Sequence, residues 1–246
     1  MLKVVAFGAT RGMGRALARL MAERGDRLFL LGRDENSLAR SARDLAHSTG
    51  AGELGYATCD LDRRSSFEPA LERADAALGG FDTVVVSAAT FETQERLEND
   101  LSATERLLDA DFTKTVVFCE CVRLRLLARG GGTLCVFSSV AGDRARKPVV
   151  LYGAAKAGLS YYLEGLDHRY HHAGLRVVCV KPGFVKTGMT AALDPPPFAG
   201  EPDVVARTVL RAIDAARPVV YAPAAWRGIM TLIRWLPRSV MRRVEF

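Results

Sequence analysis

Short apolar runs rich in β-branched residues alternate, almost from end to end, with longer stretches in which apolar positions recur every three to four residues. The runs Lys3–Phe7, Arg27–Leu31, Leu54–Cys59, Thr83–Val86, Thr133–Phe137, Arg176–Val180 and Val219–Tyr221 predict seven strands. The stretches Met13–Arg24, Glu35–His47, Arg63–Leu78, Thr104–Ala128, Leu151–Ala173 and Asp203–Ala216 predict the helices between them. Strands such as Thr133-Leu-Cys-Val-Phe137 are apolar at consecutive positions, so both of their faces are covered. Strict alternation with doubly buried strands predicts an α/β fold: a doubly wound, seven-stranded parallel sheet with helices on both faces. No repeat or linker divides the chain. Its one break in composition, Asp194–Pro202, carries prolines that forbid a helix and mark a surface loop. The expected organisation is one catalytic domain over 1–221, with a substrate loop at about 188–203, and a basic amphipathic segment over 222–246.

Composition narrows the classes. At 246 residues and 49% hydrophobic content the chain has material for a large core, which excludes disorder. The net charge is +6, and residues 217–246 hold six arginines against Glu245 alone, leaving the remainder close to neutral. A nucleic-acid partner is therefore not expected, because its basic residues would line a recognition face rather than gather in one tail. The cysteines Cys59, Cys119, Cys121, Cys135 and Cys179 are odd in number, form no CxxC pair and sit mostly in apolar runs, so they read as reduced packing residues. The chain runs from Met1 straight into a strand, with no room for a secretory leader, and no apolar run reaches bilayer-spanning length. A cytoplasmic protein is expected.

The first strand ends in Gly8-Ala9-Thr10-Arg11-Gly12-Met13-Gly14 and passes at once into a helix. Glycines there allow a tight turn and close approach to a pyrophosphate, while the helix start offers free N–H groups and the positive end of its dipole. The second strand ends in Leu31-Gly32-Arg33-Asp34, where a dinucleotide-binding domain meets the adenosine ribose. An acid there suits a 2′-hydroxyl and an arginine suits a 2′-phosphate, so Arg33, with Arg11 as second cation, favours NADP(H) over NAD(H). Asp34 keeps the opposite reading open.

Tyr152 and Lys156 lie four apart on a predicted helix and so share a face. An ammonium beside a phenol favours the phenolate and brings proton exchange nearer neutral pH. Ser139, thirteen residues before the tyrosine, ends the preceding strand in Ser138-Ser139, where its hydroxyl can hold a carbonyl oxygen that the tyrosine protonates. His168 and His172 are spaced i, i+4 but lack the glutamate of a metal helix, so no metal is expected.

Taken together, Gly8–Gly14, Asp60, Ser139, Tyr152, Lys156 and Pro182-Gly183-Phe-Val-Lys-Thr187 fall in an order that resembles the short-chain dehydrogenase/reductase family over essentially the whole chain. The resemblance implies a single Rossmann-type domain, a nicotinamide cofactor, and hydride transfer between that cofactor and a ketone or secondary alcohol. It implies Tyr152 as general acid/base, Ser139 as orienter of the substrate oxygen, and Lys156 as holder of the nicotinamide ribose. Asp60 and Leu61 would lie by the adenine. Ala88, Pro182, Gly183, Val185 and Thr187 would line the rest of the cofactor site, with Thr187 by the carboxamide. A homodimer or tetramer is implied as well.

Two positions depart from the family pattern. Val86-Ser87-Ala88-Ala89 stands where Asn-Asn-Ala-Gly is usual, and Asp111 replaces the asparagine of the proton relay. Asp111 is expected to act as a water-holding acceptor whose charge is offset by Lys156 or by water. The last hundred residues, above all Ala222-Pro-Ala-Ala-Trp-Arg-Gly-Ile-Met230 with Leu236-Pro-Arg-Ser239, further resemble the decaprenylphosphoryl keto-pentose reductase branch, which implies a sugar or lipid-linked ketone. Trp226, Ile229, Met230 and Ile233 recur on one helical face beside several arginines, so residues 226–243 are expected either to dock on an anionic membrane at its inner face or to pack over the cleft. The alternatives to an enzyme are a non-catalytic dinucleotide-binding regulator and a membrane-docked scaffold.

Overall fold

The computed structural model describes residues 1–50, 52, 54–191, 193–196 and 198–244. Seven strands, β1 (Lys3–Phe7), β2 (Arg27–Gly32), β3 (Gly55–Thr58), β4 (Thr83–Val86), β5 (Gly132–Phe137), β6 (Leu175–Pro182) and β7 (Val219–Ala222), form one parallel sheet in the order β3-β2-β1-β4-β5-β6-β7. The order reverses between β1 and β4. In a sheet of this kind the crevice beyond the carboxyl ends of those two strands is where a ligand binds.

Alternation along β1 divides the core. Val5 and Phe7 face one layer, made by α3 (Phe67–Leu78), α6 (Thr115–Ala128) and α7 (Val150–Tyr170). Val4 and Ala6 face the other, made by α1 (Gly12–Glu23), α2 (Glu35–Thr49) and α8 (Pro202–Asp214). Phe118 locks the first layer, its ring 4.8 Å from Phe7 and edge-on to Phe67 at 5.3 Å. The predicted sheet and its two covering layers are thus present, with strand ends within one or two residues of expectation.

The helix expected over Thr104–Ala128 is not one regular helix. Two short helices, α4 (Gln94–Asn99) and α5 (Leu101–Leu108), lead into a π-helical turn over Asp109–Lys114, which runs on into α6. The Thr115 hydroxyl donates to the Ala110 carbonyl five residues earlier (2.7 Å), supporting the widened turn. Asp111 sits inside it, fully buried.

The C-terminal segment belongs to the fold. After β7 the chain forms α9 (Ala225–Trp235) and α10 (Arg238–Met241). Trp226, Met230 and Ile233 bury against Val140, with Phe184 and Tyr221 around them, and Arg144 donates to the Leu236 carbonyl (2.7 Å). The face expected to meet a membrane is therefore the one that packs on the protein, beside the loop that follows Ser139. Burial of these side chains against apolar neighbours is worth on the order of 1.5–3 kcal/mol each, and a surface encounter would forfeit it.

Candidate active site

The register Phe7↔Val86 sets the ends of β1 and β4 level. Ser87 and Ala88 each donate a backbone N–H to the Phe7 carbonyl, and the Ser87 hydroxyl donates to the same oxygen (3.1 Å). Ser87 thereby ties the end of β4 to the turn after β1 at the position where the resembling family has asparagine. At Gly8 (φ +91°) a side chain would collide with the Ala88 backbone, and at Gly14 with Ser87, so the turn can be this close only with glycine at both places.

Arg11 begins α1 without a side-chain cap, and no acid stands in the first turn. The N–H groups of Gly12, Met13 and Gly14 are therefore left to an incoming anion. Thr10 and Arg11 flank this opening. The Thr187 methyl bounds it from the β6 side, 3.5 Å from where a Gly12 side chain would start. At the end of β2, Arg33 is exposed and makes no ion pair among the described residues. Asp34 is committed elsewhere: its carboxylate caps α2 by accepting from Ser37 N–H at 2.7 Å. Past β3, Asp60 accepts from the Asp62 N–H (3.1 Å) and Leu61 is buried. Pro182 ends β6, with Gly183, buried Val185 and Thr187 following. Every residue expected to hold a cofactor thus lies at the carboxyl edge of the sheet. The uncapped helix start and the glycines that keep the turn close at positions 8 and 14 fit a nicotinamide dinucleotide.

The reactive side chains converge beside this crevice. Ser139 begins the turn after β5, where its hydroxyl accepts from Ala141 N–H (3.1 Å). Ser138 fastens α7 to the strand, donating to the Lys156 carbonyl (3.0 Å) and bonding the Ser160 hydroxyl (2.7 Å). Tyr152 keeps part of its surface open and stands edge-on to Phe91, ring centres 5.2 Å apart. The Lys156 ammonium lies 5.6 Å from the centre of the Tyr152 ring. Lys156 is 1% exposed and Asp111 0%, and Nζ is 3.1 Å from Oδ2. The other Asp111 oxygen accepts from the Thr90 N–H (2.7 Å) and hydroxyl (3.2 Å). Of the two groups expected to offset the Asp111 charge, Lys156 or water, the structure places Lys156 against it as a direct ion pair. The π-turn lets the carboxylate reach the ammonium itself.

Burial raises the Tyr152 phenol above its ordinary value; Lys156 opposes this, Asp111 adds to it, and Ser139 opposes it. For Lys156, burial disfavours the ammonium, but attraction to Asp111 outweighs it and the group stands above its ordinary value. Sequence reasoning missed Thr90 and Phe91, which lie in the irregular segment after β4 and carry no spacing signal. It also missed Asp143, whose carboxylate accepts from Lys181 (2.6 Å) and Tyr221 (2.7 Å) and so anchors the loop after Ser139 to β6 and β7. The five cysteines are all free thiols, and no cluster suited to a metal occurs among the described residues.

Comparison with known proteins agrees with this geometry. The short chain dehydrogenase family model matches residues 3–197. An uncharacterised oxidoreductase of Mycobacterium tuberculosis is 33% identical over 241 residues, covering 98% of this chain and 96% of the relative. Another, of Streptomyces coelicolor, is 31% identical over 248 residues, covering 98% and 95%. Among solved structures, a short-chain type dehydrogenase/reductase of Mycobacterium ulcerans superposes with a TM-score of 0.80 at 21% identity, over 89% of this chain and 86% of its own. Levodione reductase superposes with a TM-score of 0.80 at 20% identity, over 89% and 94%. Matched by the family model over most of its length and by these relatives almost end to end, the chain belongs to the short-chain dehydrogenase family and is an oxidoreductase of that family.

Proposed function

We propose that this oxidoreductase prefers NADP(H) and reduces a ketone, or oxidises the matching secondary alcohol, with Tyr152 as proton donor and acceptor. The observation that carries the reading is the meeting of Ser139, Tyr152 and Lys156 at the edge of the crevice that the glycine turn opens. The uncapped start of α1 with Thr10, Arg11, Gly12, Met13 and Gly14 would hold the diphosphate. Arg33 would hold a 2′-phosphate, Asp60, Leu61 and Ala88 the adenosine half, and Lys156, Pro182, Gly183, Val185 and Thr187 the nicotinamide half. A bound nicotinamide supplies or takes the hydride. Ser139 orients the substrate oxygen, and Tyr152 gives that oxygen its proton or removes it. Support for NADP(H) comes from Arg33, which is exposed and forms no salt bridge among the described residues, and from Asp34, whose carboxylate is occupied in capping α2.

The substrate class we favour is a sugar or lipid-linked ketone. Exposed apolar side chains on the 188–203 loop, Met189 and Phe198, support it; two residues of that loop, 192 and 197, lie outside the described ones. On α9 the outward side chains Leu232 and Trp235, 69% and 84% exposed, stand with Arg234 and Arg238, which supports weak, salt-dependent contact with an anionic membrane. No helix among the described residues is long and apolar enough to cross one. Exposed Leu124 and Tyr161 on α6 and α7 support a homodimer or tetramer. The reading is tested by following NADPH absorbance across a panel of keto-sugars and lipid-linked ketones. Turnover that Tyr152→Phe abolishes, with cofactor binding retained, is the expected result. NADPH binding without turnover of any ketone would instead favour a non-catalytic regulator.

A further inference from the structure

The buried pair of Lys156 and Asp111 gives the reactive tyrosine a charge environment that the pattern of Ser139, Tyr152 and Lys156 does not contain by itself. With Lys156 and Asp111 buried and Tyr152 only partly open, this group of ionisable side chains is most stable when its net charge is zero, since the protein interior solvates an excess charge poorly. With aspartate at 111, ammonium and carboxylate balance while the phenol keeps its proton. With asparagine there, balance requires that Tyr152 lose its proton or that Lys156 lose its own.

We propose that Asp111 is a positioning residue that takes up the charge of Lys156, holds Tyr152 in its phenol form through the neutral and moderately alkaline range, and so sets this site to donate a proton to a carbonyl. The inference rests on Tyr152 being the proton donor of the proposed function. Its geometry is fixed from three sides. Asp111 Oδ2 meets Lys156 Nζ at 3.1 Å; Oδ1 is held by Thr90 N–H at 2.7 Å; and the π-turn leaves the carboxylate fully buried. Besides its place 5.6 Å from the Tyr152 ring, Lys156 Nζ donates among the described residues to the Phe137 carbonyl at 3.5 Å.

The groups that act on the phenol are Lys156 from its own helix, Asp111 from the π-turn and Ser139 from the end of β5; Cys179 of β6 acts on Lys156. Burial and Asp111 hold the phenol above its ordinary value against Lys156 and Ser139. In the reductive direction the substrate carbonyl carbon gains a hydride from the reduced nicotinamide. The C=O π pair forms an O–H bond with the Tyr152 proton, and the phenolate left behind is reprotonated from solvent. The equilibrium of the reaction is unaffected. What Asp111 sets is the pH range over which each direction has its tyrosine in the required form.

The test is a titration of phenolate absorbance, with the Tyr152→Phe protein subtracted to isolate Tyr152 from the other five of six tyrosines. In the unaltered protein the Tyr152 phenolate is expected only at or above about pH 10, the ordinary phenol value. In Asp111→Asn it is expected about 1–3 pH units lower, the size of a neighbouring-charge effect, and the alkaline rise of alcohol oxidation should move with it. Thr90→Val removes a hydroxyl bond to Asp111 but keeps the carboxylate, so its titration and pH profile should match the parent. A Tyr152 phenolate appearing well below pH ~10 in the unaltered protein overturns the proposal, and needs no Asp111 variant to be folded. An unmoved titration in folded Asp111→Asn, or an equal shift in Thr90→Val, overturns it as well. Tyr152-dependent turnover alongside either result would leave the proposed function standing. Turnover of no ketone would defeat that function while the titration still decides the role of Asp111.

Discussion

Replacing Lys156 by methionine should destabilise the protein strongly, and adding Asp111→Asn should recover much of the loss. The two groups are 3.1 Å apart and essentially without exposed surface. At an effective dielectric of ~20 their Coulomb attraction comes to about 5 kcal/mol, and the desolvation of both ions opposes it. The net value of the intact pair is therefore small, whereas the cost of breaking it is not. Lys156→Met leaves a buried carboxylate with, among the described residues, only Thr90 donating to it, at a cost of about 3–5 kcal/mol. For a chain of this length that is a fall in Tm of roughly 6–20 °C. In the double variant the amide oxygen still accepts from Thr90 and no charge is stranded, so the unfolding free energy should return to within about 1–2 kcal/mol of the parent. Thermal unfolding followed by circular dichroism at neutral pH, with refolding checked, measures all four corners of the cycle. A Lys156→Met protein within about 1 kcal/mol of the parent, or additive single losses in the double variant, would refute the reasoning.

Further outcomes follow from other parts of the structure. Arg33→Asp should reverse the preference for NADPH over NADH, with a change of about ten- to a hundredfold in the affinity ratio read by calorimetry; equal affinities in the parent would remove Arg33 as the phosphate contact. Met230→Ala, at a position with no exposed surface, should cost about 2–5 kcal/mol in unfolding, while Trp235→Ala, 84% exposed, should cost almost nothing; similar losses would mean that α9 is not packed as described. Lys156 and Tyr152 both stand above their ordinary values, so folding keeps protons that the unfolded chain releases above about pH 10. Their contribution to stability is complete below that pH and is lost as pH rises through the folded values, so the decline above pH ~10 should be shallower in Lys156→Met. Burial pushes the Cys59 thiol up to about 12 and Cys121 up to about 11, and Cys119, Cys135 and Cys179 also up. Native protein should therefore react slowly with a disulfide reagent at mildly alkaline pH, and a rapidly labelled thiol would show that one of these sites opens.

The sheet, its two helical layers and the position of the crevice were legible in the chain because they follow from periodicity. Val4 and Ala6 on one side and Val5 and Phe7 on the other need only the two-residue alternation of a strand and the helix stripes that cover it. The glycine turn and the spacing of Tyr152 and Lys156 were equally legible, since spaced glycines between a strand and a helix mark such a turn and four residues of helix bring the phenol and ammonium to one face. What makes Gly8 and Gly14 obligatory, however, is the approach of Ala88 and Ser87 from the end of β4.

Tertiary structure decided what depends on pairings distant in sequence. The π-turn around Asp111 arises within a stretch that reads as regular helix, and the partners it reaches, Thr90 and Lys156, lie 21 and 45 residues away along the chain. That Lys156 itself stands against the Asp111 carboxylate, one of the two ways its charge was expected to be offset, is a matter of a few ångströms that no spacing encodes. The apolar face of Trp226, Met230 and Ile233 was visible as a stripe, but a stripe fits a membrane or a protein surface alike. Only the placement of Val140 and Phe184 beside it determined that the stripe closes over the protein and leaves Leu232 and Trp235 outside.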